Sequence, residues 1–317
     1  MRSLTLPLNT LFRAAGDRSI AVLVYHRVLP APDPLRASEP DLEQFRREMR
    51  VLADCFRPLS LADAVAALST DDFPPGGVCV TFDDGYEDNL RLALPILREF
   101  GIPATVFVAS GFLDGGVMFN DCVIDAVAAS VKEELVLEAL GSRRWPLTTL
   151  GQRRQCIDDV IDGIKYEPPT VREQVLDELR HRTGVAPASR MLSLTQLREL
   201  GDAGVEIGAH TRSHPILRTL PDAAASEEIA GSRVELERAL GRSVRYFAYP
   251  NGKHGVDYDE RHMAMVAEAG FEAAFTTEAG VVRAGADCCR LPRFRPWDRS
   301  YLRFWARIWQ ARLRGPA

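Results

Sequence analysis

Two short strings in this chain have residue types and spacings that could do chemistry. The first is VTFDDGYEDN (residues 80–89), in which an apolar run ends in Asp83 and Asp84, followed by Gly85. Adjacent carboxylates repel each other unless a cation or an arginine shares their site. A glycine behind them lets the backbone turn so that both face one cleft. The same residues also suit an ordinary strand-to-helix turn in which one aspartate caps the helix, and this string alone leaves both readings open. The second string runs from VEIGA into His210-Thr-Arg-Ser-His214 and then Pro215. Two imidazoles at this spacing after a strand can turn towards one metal ion, zinc or a neighbour of zinc. With one aspartate they form a ligand set that keeps coordination positions open for water and substrate.

Such a set needs a scaffold that gathers the ends of separate strands. Short β-branched runs alternate with helical patterns along the chain. Strands are predicted at 20–25, 78–82, 104–108, 205–209, 246–249, 272–276 and near 290–294. Helices are predicted at 41–55, 60–68, 87–100, 222–240 and 257–269, from apolar residues spaced three and four apart. This alternation predicts an α/β fold with a parallel sheet and outer helices. The number of units favours a closed (β/α)7-8 barrel, whose strand C-termini share one face, where barrel enzymes keep their chemistry. Residues 111–190 interrupt the rhythm with helical patterns at 122–131, 152–164 and 170–183 and no strand signal, and read as a helical cap inserted into a single domain spanning 1–317.

Composition excludes several classes. With 317 residues, 46% of them hydrophobic and 26% charged, the chain has the balance of a soluble globular protein. Its 44 acidic against 39 basic residues, a net charge of −5, supply no field for nucleic acid. The N-terminal residues MRSLTLPLNTLFRAAG lack the pattern of an export signal. The six scattered cysteines, with no CxxC pair, read as free thiols, and a cytoplasmic location is expected. Residues 299–314 (RSYLRFWARIWQARLR) read as a basic amphipathic helix that either closes the bottom of the barrel or lies on an anionic membrane surface as a peripheral contact.

At this point the chain resembles the polysaccharide deacetylases, the carbohydrate esterase family 4 or NodB homology domain. The resemblance rests on T-F-D-D-G-Y (residues 81–86), H-T-x-S-H-P (210–215) and F-A-Y-P-N-G (247–252). It extends from about residue 20 to 297 apart from the insertion. It implies a distorted (β/α) barrel and hydrolysis of N-acetyl groups from amino sugars of a glycan. Carried over residue by residue, it implies that Asp84, His210 and His214 hold a divalent metal, most simply Zn2+, with Co2+, Ni2+ or Fe2+ as alternatives. Asp83 is then the general base, with Tyr249 and Asn251 on the substrate and oxyanion side.

Three departures follow from the same comparison. The arginine that orients the base in the family falls at Ala248; Arg245 lies three residues earlier, and Arg290 or Arg293 are candidates from a neighbouring strand. The family's fourth motif is not recognisable in residues 274–282. Its fifth motif supplies a histidine as general acid, yet no histidine follows His262. His26, after the first strand, is the favoured replacement, and His254 the second. Phe119, Asn120 and Asp121 at the start of the insertion, and Trp297, are candidates to line the cleft. His181 and His262 are expected at the surface.

The leading expectation is therefore a metal-dependent hydrolase that removes N-acetyl groups from N-acetylhexosamine units of a cell-surface or exopolysaccharide, or of its precursor. The alternatives are a hydrolase of a small cyclic amide and a non-catalytic glycan-binding module. An Fe(II) oxygenase would also use two histidines and a carboxylate, but normally on an antiparallel barrel with an H-x-D motif, and neither is present.

Overall fold

A computed structural model describes residues 17–70, 72–186, 188–295 and 300–313. Residues 1–16, which bear on the export-signal reading, lie outside the described residues, and so does Trp297. The strands are β1 (Ser19–Tyr25), β2 (Arg57–Pro58), β3 (Gly77–Phe82), β4 (Ala104–Val108), β5 (Glu134–Leu137), β6 (Arg143–Pro146), β7 (Glu206–Ala209), β8 (Tyr246–Ala248), β9 (Ala273–Ala279), β10 (Val282–Arg283) and β11 (Leu291–Arg293). The helices are α1 (Leu42–Cys55), α2 (Leu61–Thr70), α3 (Leu94–Phe100), α4 (Phe119–Ala129), α5 (Leu150–Ile164), α6 (Pro169–Thr183), α7 (Leu194–Asp202), α8 (Asp222–Leu240), α9 (Glu260–Glu268) and α10 (Tyr301–Leu313).

Every residue of β1 and β3 is buried, as expected of parallel strands covered on both faces. Parallel pairing runs β1-β3-β4-β7-β8-β9-β11 within a nine-stranded sheet. Phe294, just after β11, closes the ring: it bridges to Leu23, its N–H donates to Val22 O at 2.7 Å, and its carbonyl accepts from Val24 N–H at 3.0 Å. The predicted α/β barrel is therefore the fold observed.

Alternation along the strands separates two apolar layers. Ile20, Val22, Cys79, Phe107, Tyr246, Phe275 and Leu291 form an interior cluster, joined by Leu61, Ala64 and Ala67 of α2. Ala21, Leu23, Val78, Val80 and Val106 face outwards into a layer shared with Phe45, Met49 and Leu52 of α1. Helix α2 therefore packs against the interior cluster. Helix α10 packs on the outer layer through Phe304 and Ile308. Arg303 and Arg307 are exposed, whereas Arg312 turns inwards and reaches Asp17 at 2.8 Å, Ser19 O at 2.9 Å and Gly77 O.

The insertion holds its own core, with Val123, Leu137, Trp145, Cys156, Val160 and Leu179 all buried. It is not purely helical: β5 and β6 pair antiparallel as a hairpin. That hairpin escapes sequence reading because its strands are short and charged, and only Leu135, Leu137 and Trp145 point inwards. Among the described residues, no helix is long and apolar enough to cross a membrane. All six cysteines are free thiols.

Candidate metal centre and active site

Four strand ends carry the candidate chemistry: His26 follows β1, Asp83 and Asp84 follow β3, His210 follows β7, and Arg293 ends β11. The Asp83 N–H is pinned to Tyr25 O at 2.9 Å. The chain then turns through two left-handed residues, Asp84 at φ 76° and Gly85 at φ 87°. A side chain at Gly85 would lie 3.0 Å from Val108, so glycine is required by both conformation and space.

The second string is folded around its own hydroxyls and one acidic side chain. Thr211 Oγ1 accepts from the His214 N–H at 3.1 Å. Glu228 of α8 accepts from the N–H groups of Arg212 at 2.9 Å and Ser213 at 2.8 Å, and from the Ser213 hydroxyl at 2.6 Å. Thr211 and His214 both have positive φ, at 63° and 54°, and Asn251 in the third string has φ 57°. Non-glycine residues held this way cost on the order of 1–3 kcal/mol each and persist where the surroundings over-determine them. Of the described non-glycine residues with positive φ, only Asp114 and Ser142 lie outside the three strings.

The result is a buried triad. Asp84 Oδ1 lies 3.6 Å from His210 Nε2 and 3.5 Å from His214 Nε2. One ligand atom from each residue falls within 4.8 Å of the others. His210 Nδ1–H donates to Ala248 O at 2.7 Å, which fixes the tautomer and leaves Nε2 facing the triad. Burial, then the neighbouring His210, holds His214 well below the usual histidine pKa, and burial lowers His210. Both rings are therefore neutral, the state that binds metal. Burial, then the Asp83 charge, pushes Asp84 well above the carboxylate range. Its Oδ1 is buried without a hydrogen-bond partner. An orphaned carboxylate oxygen between two neutral imidazoles, one of them oriented by Ala248 O, suits a divalent cation, so the residues present fit the metal.

Asp83 has a different partner. Arg293, fully buried, donates from Nη1 to Oδ1 at 2.6 Å and from Nη2 to Oδ2 at 2.7 Å, and is itself held by Thr276 O at 2.9 Å. Burial works to raise the Asp83 pKa, but the Arg293 charge, with His210 behind it, overrides it and holds the carboxyl well below its usual range. Of the arginines considered, only Arg293 reaches Asp83. Arg290 pairs with Glu278 at 3.1 Å and Arg245 with Glu206 at 2.7 Å, both away from the triad.

His26 Nε2 lies 3.4 Å from Arg295 Nη2. Burial, then the Arg295 charge, lowers its pKa to about 3, while Asp83 and His210 also act on it electrostatically. His254 instead pairs with Glu260 at 3.1 Å. The Asn251 backbone N–H has no acceptor among the described residues.

Other expectations are corrected. Tyr249 offers the cleft neither its phenol nor its N–H: the ring is fully buried, stacked 3.8 Å from Tyr258, its hydroxyl donates to Cys289 O at 3.0 Å, and its N–H donates to Phe275 O at 3.1 Å. His262 is not at the surface but fully buried, with Nδ1 2.8 Å from Asp259 at the start of α9. Asp121 is committed to structure, 3.5 Å from Arg27 Nη1 and 3.1 Å from Arg36 Nη2. Arg27, unremarked in the sequence although it follows His26, also binds Asp88 at 2.8 Å. Arg36 and Arg190 extend the network to Asp125 of α4, which fastens the insertion beside the site.

A closed parallel barrel thus carries an Asp-His-His triad that could hold a metal ion, with an arginine-held aspartate beside it. The family model for polysaccharide deacetylase matches residues 70–143 and 170–274, more than half of the chain, and the chain belongs to that family of enzymes. YxkH of Bacillus subtilis (strain 168), itself assigned to polysaccharide deacetylases, is 20% identical over 278 residues, covering 87% of this chain and 71% of YxkH. Among solved structures, the Streptococcus pyogenes deacetylase PplD in complex with acetate matches with TM-score 0.58 at 20% identity, over 88% of this chain and 92% of PplD. IcaB from Ammonifex degensii matches with TM-score 0.59 at 22% identity, over 90% of this chain and 97% of IcaB. At these identities the structural likenesses speak for the fold.

Proposed function

We propose that this enzyme is a metal-dependent de-N-acetylase of N-acetylhexosamine units in an exopolysaccharide or its precursor. The observation that carries the reading is the pairing of two adjacent aspartates with opposite partners. Asp84 sits orphaned between two imidazoles, while Asp83 is locked to Arg293. Asp84, His210 and His214 would hold the cation, with Zn2+ best matched to two imidazoles and one carboxylate. When bound, a divalent cation polarises the acetamido carbonyl and makes water more acidic.

This chain's own residues do the rest. Asp83, kept ionised by Arg293, accepts a proton from the attacking water, and the guanidinium fork holds both oxygens in place while it does so. The Asn251 N–H points its unused donor at the oxygen on which charge develops. The proton that Asp83 takes from water passes to the leaving amine nitrogen, with His26, kept neutral by burial and Arg295, as the relay between them.

The test is acetate release from an N-acetylglucosamine oligomer by protein stripped with chelator and then reloaded with Zn2+. Activity should vanish on stripping, return on reloading, and be absent in Asp83→Asn. Activity that survives in Asp83→Asn removes this mechanism.

A further inference from the structure

The insertion brings one charge to the cleft that the deacetylase chemistry leaves unexplained. Arg172 lies in the first turn of α6, its guanidinium 4.9 Å above the ring of Phe119, the first residue of α4. Other insertion arginines are satisfied: Arg143 by Asp159, Arg144 by Glu134, Arg153 by Val127 O and Ser130 O, Arg180 by Asp177, and Arg182 by Glu178. Among the described residues, Arg172 has no carboxylate or carbonyl within hydrogen-bonding reach, and the aromatic ring is its one recorded contact besides its own neighbour Glu173.

Its position does not serve the helix. A cation in the first turn sits at the positive end of the helix dipole and is disfavoured there. Nor is it needed to keep His214 neutral, although its charge acts on that imidazole, because burial is the larger cause there. The Arg27–Asp121 pair and the packing of Met118 with Tyr86 set the start of α4, and with it the Phe119–Arg172 contact, beside the site strings. Next to Phe119, the buried Asn120 Oδ1 also lacks a hydrogen-bond partner. A half-buried guanidinium with no hydrogen-bond acceptor of its own leaves a donor fork waiting for a ligand.

Building on the deacetylase reading, we infer that Arg172 recognises an anionic oxygen group on the glycan, a carboxylate or a phosphate, next to the acetamido sugar being cleaved. The planar fork pairs two oxygens of either group, and a desolvated charge-assisted pair of this kind is stronger than a neutral hydrogen bond. The Phe119 ring holds the guanidinium ready. The active site is then selective for an acidic polymer.

The experiment compares zinc-loaded wild type and Arg172→Gln on three substrates: a neutral N-acetylglucosamine oligomer, one alternating with a uronate, and one joined by phosphodiesters. The wild type should prefer one acidic substrate, which identifies the group. In Arg172→Gln the ratio of kcat/KM for that substrate to that for the neutral oligomer should fall about tenfold or more, mainly through KM. Arg172→Lys should retain part of the preference, since it keeps the charge without the fork. A wild type with no acidic preference, or a ratio unmoved in Arg172→Gln, overturns the inference and leaves the deacetylase reading standing. No acetate from any of the three overturns that reading and the inference with it.

Discussion

Replacing Arg293 by methionine tests the arrangement at its centre. Methionine roughly preserves the volume of the stem but leaves Asp83 fully desolvated and facing Asp84. Removing one partner of a buried ion pair costs about 3–5 kcal/mol. The pH dependence follows from the direction of the shift. The folded-state pKa of Asp83 is depressed below its unfolded value, so the pair's contribution is complete above the ordinary carboxylate range and fades as pH falls through the depressed value. In Arg293→Met the pKa rises instead, and protonation relieves the unpaired charge. The deficit should therefore be largest near neutral pH and shrink towards pH 4. Urea unfolding of metal-free protein at several pH values measures this without interference from the cation.

Activity should follow the same carboxylate. With its base partly protonated and no longer oriented, Arg293→Met should lose about 10²–10⁴-fold in kcat/KM, and the acid limb of its pH profile should move upwards. The decisive comparison is the double variant Asp83→Asn/Arg293→Met. It should recover much of the lost stability, because neither charge remains, yet stay inactive. A double variant no more stable than Arg293→Met, or a single variant with wild-type stability at pH 7, would refute the reasoning.

Two further outcomes are expected. Because the apo Asp84 carboxyl titrates high while His210 and His214 are already neutral, Zn2+ must displace a proton from Asp84, and affinity should weaken as pH falls; calorimetry in buffers of different ionisation heat would show proton release, and a pH-independent affinity would contradict the triad. Arg312→Met should destabilise the fold by about 1–3 kcal/mol, since it removes a partner from the carbonyls of Ser19 and Gly77 and leaves Asp17 only the Ser19 hydroxyl and the Gly76 N–H; activity per folded molecule should be retained, and a thermal unfolding curve matching wild type would show that the inward arginine does not stabilise the fold.

Local pattern made Asp83, Asp84, His210 and His214 candidates, and the resemblance of three strings to a family implied their roles. Adjacent carboxylates with a glycine behind them, and histidines four residues apart after a strand, are sequence-local statements of ligand geometry, and the strings VTFDD and VEIGAH announce their own strands. Alternating apolar runs likewise predicted the barrel, because a strand covered on both faces must be apolar throughout. What sequence could not distinguish was Arg293 from Arg290 or Arg245, all arginines near strands. Their partners, Asp83, Glu278 and Glu206, are chosen by strand register and by which face each residue takes, and a shift of one residue reverses that face.

The same limit explains the corrections. Tyr249 sits in a motif that points at the cleft, yet its own side chain turns into the core to stack on Tyr258 and reach Cys289 O. His262 looks polar in a helix, yet the packing of α9 removes it from water. The β5–β6 hairpin has too little apolar pattern to declare itself. The lone charge of Arg172 becomes informative only when its surroundings are known. Which residues can do chemistry was thus written in spacing along the chain. Which of them face one another, and which are spent holding the fold, was decided only when the ring of strands closed and fixed the direction of every side chain.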